Sequence, residues 1–494
     1  MAELADAYGS GPYGETRGGS SPLVSTTLVP FFQYSSLPTG VRSAPKSKGP
    51  ENRGTSAALR SPFFLFKVLR PLIAGVVLLP FSGCHKEPSN TSTLPNSVYV
   101  WQQHWTPGLG DSVRNLRHSA APIHQLIVLS AQIQWHDQSP TVFRPTVDWD
   151  ALHESAKPIG LGIRIAPFHH EPTQHTLEYL AEVIRSTVAE AKKHGVVCEE
   201  VQLDYDSPQR RLDHYRRWLI PLREAARPLR FTITALPAWL GEPELPRLLR
   251  EVDRFILQVH SVQTRARGEL PALFEIKRAQ RWIQRAGRFR HPFFVSLPTY
   301  SGLVGYSPEG RQLGMALDGN QPAWPPGTQV VEFHADPDAI ASLVSELRKM
   351  HPVSLEGLAW YRLPSGKAER NWRWPTFAAV LEGRRPISKL DALAEGDSPV
   401  DLKLQNQGEA EEAFRGSVVL RWKGAALVDC EGSPGWTVRK GEQEVRWILE
   451  DQHRVRLSPG AQSVIGWARF NEKPPLWLEV DRVLDPLPSP LAPR

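Results

Sequence analysis

The chain of 494 residues is too long for one ordinary domain, and its 41% hydrophobic and 22% charged content suits a folded protein with more than one core. Lys and Arg total 58 against 52 Asp and Glu, a formal charge of +6; the excess is spread along the length, which argues against the concentrated basic footprint that nucleic-acid binding needs. Sixteen Trp and 45 Pro against three Met allow exposed aromatic platforms that suit sugar rings, beside the ordinary use of Trp in core and rim packing.

The N-terminus reads as processing signals. Residues 1–58 fit no targeting signal; MAELADAYGSGPYGETRGGSSPLVST resembles the translation of a transfer-RNA gene, which implies a start codon placed too far upstream and a disordered extension outside any functional argument. Residues 59–83 follow a signal-peptide plan, with Lys67 and Arg70, an apolar run over 71–81 too short to span a bilayer, then Ser82-Gly83-Cys84. The ending FSGC resembles a bacterial lipobox. That resemblance implies lipidation of Cys84 and a mature chain held to the cell envelope by an N-terminal lipid. His85 stands where an Asp would retain a Gram-negative lipoprotein in the inner membrane, so the outer membrane, periplasmic side, is implied. An ordinary cleaved signal with an incidental cysteine is the alternative. Residues 84–96 are polar and suit a flexible tether. The remaining cysteines, Cys198 and Cys430, fall in different predicted domains, without disulfide or zinc-finger spacing.

From residue 97 one plan repeats: a short apolar run, a polar or aromatic loop, then an amphipathic stretch. The runs are SVYVWQQHW (97–105), HQLIVLSAQI (124–133), GLGIRIAPF (160–168), EEVQLDYD (199–206), RFTITALPAW (230–239), RFILQVHSV (254–262), HPFFVSLPTY (291–300) and LEGLAWYRLP (355–364). Between the last two lie a long loop and an apolar patch at 330–333. Eight strand-then-helix units over 97–386 predict an α/β fold, a closed (β/α)8 TIM barrel. A doubly wound open sheet is the competitor, but VWQQHWTPGLG after the first strand has the wrong spacing for a phosphate loop. No nucleotide, cofactor or metal is expected. Over 387–494 the pattern changes to period-two alternation in SPVDLKLQNQG, GSVVLRWKG, EVRWILE, HRVRLSP, QSVIGWARF and LWLEVDRV, which predicts a small C-terminal antiparallel β-sandwich packed on the barrel.

A barrel of this kind carries its site at the C-terminal ends of its strands. That places Gln102, His104 and Trp105 of the first strand beside Arg164 and His169 of the third, and beside Asp204, Tyr205 and Asp206 of the fourth. Thr234, Pro237 and Trp239 join from the fifth, Gln258, His260 and Gln263 from the sixth, Ser296 and Tyr300 from the seventh, and Trp360, Tyr361 and Arg362 from the eighth. Asp204 and Asp206 point to the same side of their strand and crowd like charges. Asp206 or Ser207 as the N-cap of a helix starting at Pro208 would explain one acid and not the other. Trp360 filling the core, an Arg164–Asp204 ion pair and a hydrogen-bonded interior His260 are the structural alternatives.

The pattern VYVWQQHW, LDYDSP, LQVHSVQ and LAWYRLP over 97–380 resembles an uncharacterised family of bacterial lipoproteins known as a domain of unknown function. More loosely, a fourth strand ending in Asp-x-Asp with a Trp on the eighth is similar to the chitinase-type glycoside hydrolases. In that family a Glu two residues beyond the second Asp is the general acid; here Pro208 stands there. The expectation is a cell-envelope barrel that hydrolyses or binds a polysaccharide or oligosaccharide. Asp206 would be acid or nucleophile and Asp204 its tuning partner, with a second carboxyl from Asp137, Glu332 or Asp318. The alternatives are a glycan binder that does not cleave, working through Trp105, Trp239, Tyr300 and Trp360, and a metal-dependent hydrolase using His104, His169, Asp204 and His260.

Overall fold

Eight apolar runs pair in parallel and close on themselves. The strands are β1 (Asn96–Val100), β2 (Ile123–His136), β3 (Ile159–Ile165), β4 (Cys198–Tyr205), β5 (Arg230–Ala235), β6 (Arg254–Gln258), β7 (Phe293–Pro298) and β8 (Leu355–Tyr361). Each pairs with the next in parallel register, and β1 joins β8 to complete the ring. This computed structural model describes residues 94–136, 139–168, 171–261, 272–316, 323–365, 370–450, 453 and 455–483. The expectations for 1–58, for the signal segment 59–83 and for lipidation of Cys84 lie outside the described residues, as do His169, Gln263, Asp137 and Asp318. No helix among the described residues is long and apolar enough to cross a membrane.

Helices cover the outside of the ring. The longest, Gln174–Lys193, is capped by Thr173, whose side chain accepts from Thr176 N, and ends in Lys192 and Lys193, cations that suit the negative helix terminus. It buries Leu180, Ile184, Thr187 and Ala191 at three- and four-residue spacing against the sheet. Helices Leu212–Ala226, Ile276–Gly287, Pro337–Met350 and Trp374–Leu381 repeat that arrangement further along the chain.

Strand parity decides what enters the ring. Val98, Val100, Val201, Leu203, Phe255 and Trp360 face the helices and join the main core. Tyr99, Trp101, Ile127, Leu129, Ile256, Phe294 and Ala359 form a second cluster, with Tyr361 packed against it. Gly162 makes room for Trp101: a Cβ there would lie 2.5 Å from Trp101 Cζ3. Toward the N-terminal end of the ring, Glu200 is fully buried and ion-paired with Arg254. Gln125 Nε2 donates to the same carboxylate at 3.3 Å, Arg230 Nη1 lies 3.8 Å from it, and Arg254 stacks on Phe294 at 3.9 Å. This polar plug was not anticipated from the sequence.

One further feature differs from the predicted outline, and the predicted antiparallel C-terminal region has more strands than the alternation marked. The long loop after β7 is a three-stranded antiparallel sheet, Ser301–Tyr306 flanked by Gln312–Ala316 and Gln329–His334, so the apolar patch at 330–333 is its outer strand. The C-terminal region is antiparallel, with two four-stranded sheets and one pair of short strands. A core of Leu402, Leu404, Phe414, Val418, Leu420, Trp447 and Ile465 holds these sheets together. Three of its strands, Leu390–Glu395, Glu412–Phe414 and Leu427–Gly432, carry no clear alternation in sequence, and Trp436–Gly441 alternates only over its first four residues.

Candidate functional site at the barrel mouth

The strand β4 delivers its polar residues by alternation: Glu200, Gln202 and Asp204 share the inward face. Asp204 sits directly beside Arg164 of β3 in register, with Arg164 Nη1 3.7 Å from Asp204 Oδ2. Thr234 of β5 donates its hydroxyl to Asp204 Oδ1 at 2.7 Å. Burial pushes the Asp204 carboxyl above its ordinary range, Arg164 pulls it back, and the neighbouring Asp206 charge pushes it up again. Asp204 therefore holds its proton beyond the ordinary carboxylate range. The predicted ion pair exists, and it coexists with a like-charge neighbour.

Neither acid is a helix cap. The turn Gln209–Arg211 starts from Pro208 without a side-chain cap, and the helix Leu212–Ala226 starts from Arg211 without one. Ser207 instead donates to Pro208 O at 3.3 Å. The cap explanation of Asp206 fails because the helix begins several residues later than the Ser-Pro step suggests.

An aromatic group surrounds the mouth, with Tyr361 at its hub. Its ring centroid lies 5.7 Å from Tyr99, 6.3 Å from Trp101, 6.0 Å from His260 and 5.7 Å from Tyr300. His260 is buried, its Nε2 3.2 Å from Ser296 Oγ, and burial pushes it down to about 3, so the ring is neutral near pH 7. Burial raises the Tyr300 phenol, which stays protonated. Gln103 Nε2 donates to Gln132 Oε1 at 2.8 Å. Gln102 and Gln258 are half-buried, and Arg362 is buried beside Tyr300. The Tyr361–Arg362 peptide is cis.

Other predicted members go elsewhere. Trp360 is fully buried in the outer core, edge-on to Phe377, and donates its indole N–H to Asn96 Oδ1 at 2.9 Å. Trp239 is equally buried, donating to Ser207 O at 3.0 Å and packing edge-on to Tyr215. Both are packing residues because their positions face the helices. Trp105 is half-buried, and His104 is exposed and edge-on to Phe143. Glu332 is turned to Arg456, at 2.6 Å, in the C-terminal region, which removes it as a second carboxyl. His104 and His260 occupy different settings, one exposed and one buried on Ser296, and no metal-holding group of three or more His, Cys, Asp or Glu forms among the described residues. Trp101, at the end of β1, was missed in sequence because it follows the apolar run without a break.

Trp360→Phe separates packing from binding. The variant keeps the ring but strands Asn96 Oδ1, and should cost about 1–3 kcal/mol in urea unfolding. Affinity for any ligand at the mouth should be unchanged; a weakened ligand would return Trp360 to the site.

Residues 157–366 match a family described as Domain of unknown function (DUF3142). The match runs from just before β3 to just after β8, so it includes Arg164, Asp204, Asp206, Thr234, His260, Tyr300 and Tyr361. No curated protein matches the chain. Among solved structures, the chain is similar to the spore cortex-lytic enzyme SleL of Bacillus cereus, with 12% identity, TM-score 0.42, and coverage of 59% of this chain and 74% of that one. It is similar to chitinase ChiA74 from Bacillus thuringiensis, with 8% identity, TM-score 0.38 and coverage of 79% and 100%. The chitinase ChiB from Flavobacterium johnsoniae follows at 11% identity, TM-score 0.37 and coverage of 59% and 92%.

Proposed function

We propose that the chain is a cell-envelope lipoprotein whose barrel mouth takes a polysaccharide or oligosaccharide and cleaves it, with Asp206 as acid or nucleophile and Asp204 as its tuning partner. The observation that carries this reading is the pair of aspartates ending β4 inside the mouth, with Asp204 hydrogen-bonded by Thr234, beside Arg164 and raised by burial. A carboxyl whose proton is held more tightly by burial, beside a second acid, is the kind of pair that acid–base chemistry on a sugar uses, and Tyr361, half-buried at the hub of the aromatic group, offers a ring suited to sugar. A panel of envelope and plant polysaccharides, assayed for reducing ends and for binding, tests it. Cleavage of at least one that is lost in Asp206→Asn supports the reading, and no cleavage and no binding across the panel overturns it.

A second reading, binding without cleavage, is favoured by Pro208. It stands where the chitinase-type enzymes carry their acid, and Glu332 does not substitute for it. Binding by the parent with no new reducing ends selects this reading.

The envelope location rests on Cys84 and the segment before it. Cys84→Ser should move the protein from the membrane fraction to the soluble fraction. Unchanged membrane association in that variant would remove the lipid anchor from the proposal.

A further inference from the structure

Among the described residues, four buried polar atoms on β4, β5 and β6 have no partner: Glu200 Oε1, Gln202 Oε1, Thr232 Oγ1 and Arg254 Nε. Their side chains are almost wholly enclosed, Glu200, Gln202 and Thr232 at 0% exposure and Arg254 at 4%. They also meet. Gln202 of β4 faces Thr232 of β5 in register, and Thr232 faces Arg254 of β6. Glu200 lies two residues before Gln202 on the same face, and its other oxygen already holds Arg254 and Gln125. One stranded buried polar atom is costly, and four on three neighbouring strands call for a common partner.

The chemistry of the four selects that partner. Two are acceptors only, one is a donor only, and the threonine hydroxyl can be either. We propose that this cluster is a binding site for one ordered water, which accepts from Arg254 Nε–H, donates to Glu200 Oε1 and Gln202 Oε1, and takes the Thr232 hydroxyl as its fourth partner. A cation would meet the oxygens, yet it would face the Arg254 guanidinium and leave Nε–H unmet. An apolar void would leave all four unmet.

The site does more than fill space. Gln202 Nε2 donates to Tyr99 Oη at 2.7 Å. Holding Gln202 Oε1 from below fixes which end of that amide faces Tyr99, and so leaves the Tyr99 hydrogen free for an acceptor other than Gln202. Asp204 lies two residues beyond Gln202 on the same face of β4, and its charge is felt by Tyr99. The water is thus a positioning element beneath the aspartates, linking the Glu200–Arg254 plug to the mouth.

Thr232→Val tests the inference by the sign of its effect. A hydroxyl with no partner is a buried liability, so the near-isosteric valine would leave the melting temperature unchanged or higher. A hydroxyl that holds a bound water predicts a fall of about 2–4 °C. A crystal structure of the full chain should show a density peak at about 2.7–3.2 Å from the four atoms, kept in Thr232→Ser and lost or displaced in Thr232→Val. An unchanged or raised melting temperature in Thr232→Val, no peak in the parent, or a peak with oxygen-only contacts at about 2.3–2.6 Å, as a metal ion makes, would overturn it.

Discussion

Asp206→Asn should lower turnover of any polysaccharide the barrel cleaves by about 10²–10⁴-fold, the usual contribution of a positioned acid or base, while the melting temperature stays the same or rises. The reason is electrostatic. Asp206 is one of the charges that push Asp204 upward, so removing it relieves a repulsion. Asp204→Asn extends the test through pH. Because the folded-state value of Asp204 is raised, the stability gained by protonating it is complete below the ordinary carboxylate range and is lost as pH rises through the raised value. The stability advantage of Asp204→Asn over the parent should therefore be smallest in acid and widen toward neutral pH. Calorimetric melting of the parent and both variants across that range, beside a reducing-end assay, decides the matter. Parent-like turnover in Asp206→Asn would end its catalytic assignment.

Arg254→Met should be the most damaging single change at the closed end of the barrel. It leaves Glu200 fully buried without its close cation, a loss in the range of about 3–5 kcal/mol for a broken buried pair. Arg230 Nη1, 3.8 Å from the same carboxylate, softens the effect toward the lower figure. The double variant Glu200→Leu, Arg254→Met should recover part of the loss, since replacing a whole buried pair by apolar groups is often close to neutral, while Gln125 Nε2 loses its partner and the polar atoms of Gln202 and Thr232 stay buried. Urea unfolding of the single and double variants reads this directly. A double variant no more stable than Arg254→Met would mean that stacking on Phe294, not charge, is the contribution of Arg254.

The barrel was legible because each of its strands is a run of apolar residues closed by a polar loop, and that period survives any detail of packing. Facing was harder to read. Trp360 and Tyr361 are adjacent aromatics at the end of β8, and composition does not say which turns to the helices and which to the mouth; their packing settles it, Trp360 against Phe377 of the outer helix and Tyr361 against the interior cluster. The sheet after β7 was hidden because its first and third strands pair across a gap in sequence of more than 20 residues. The C-terminal strand Leu390–Glu395 was hidden for another reason. Its Leu, Ala and Glu favour a helix, and only pairing with Val400–Asn406 holds it extended. Asp204 and Asp206 were legible as a pair, whereas Glu200 on the same face was not, because its partner Arg254 lies two strands away.

The fit of Trp101 over Gly162 also constrains how this barrel can change over generations. A side chain at 162 is blocked while the indole lies across it, whereas a smaller residue at 101 leaves glycine unharmed at 162. Substitutions at the two positions therefore have a required order, with 101 shrinking before 162 grows. A lineage that has taken the second step cannot recover the tryptophan by a single reversal. The two positions should accordingly vary as a pair among relatives of this chain, with large residues at 101 found only beside glycine at 162.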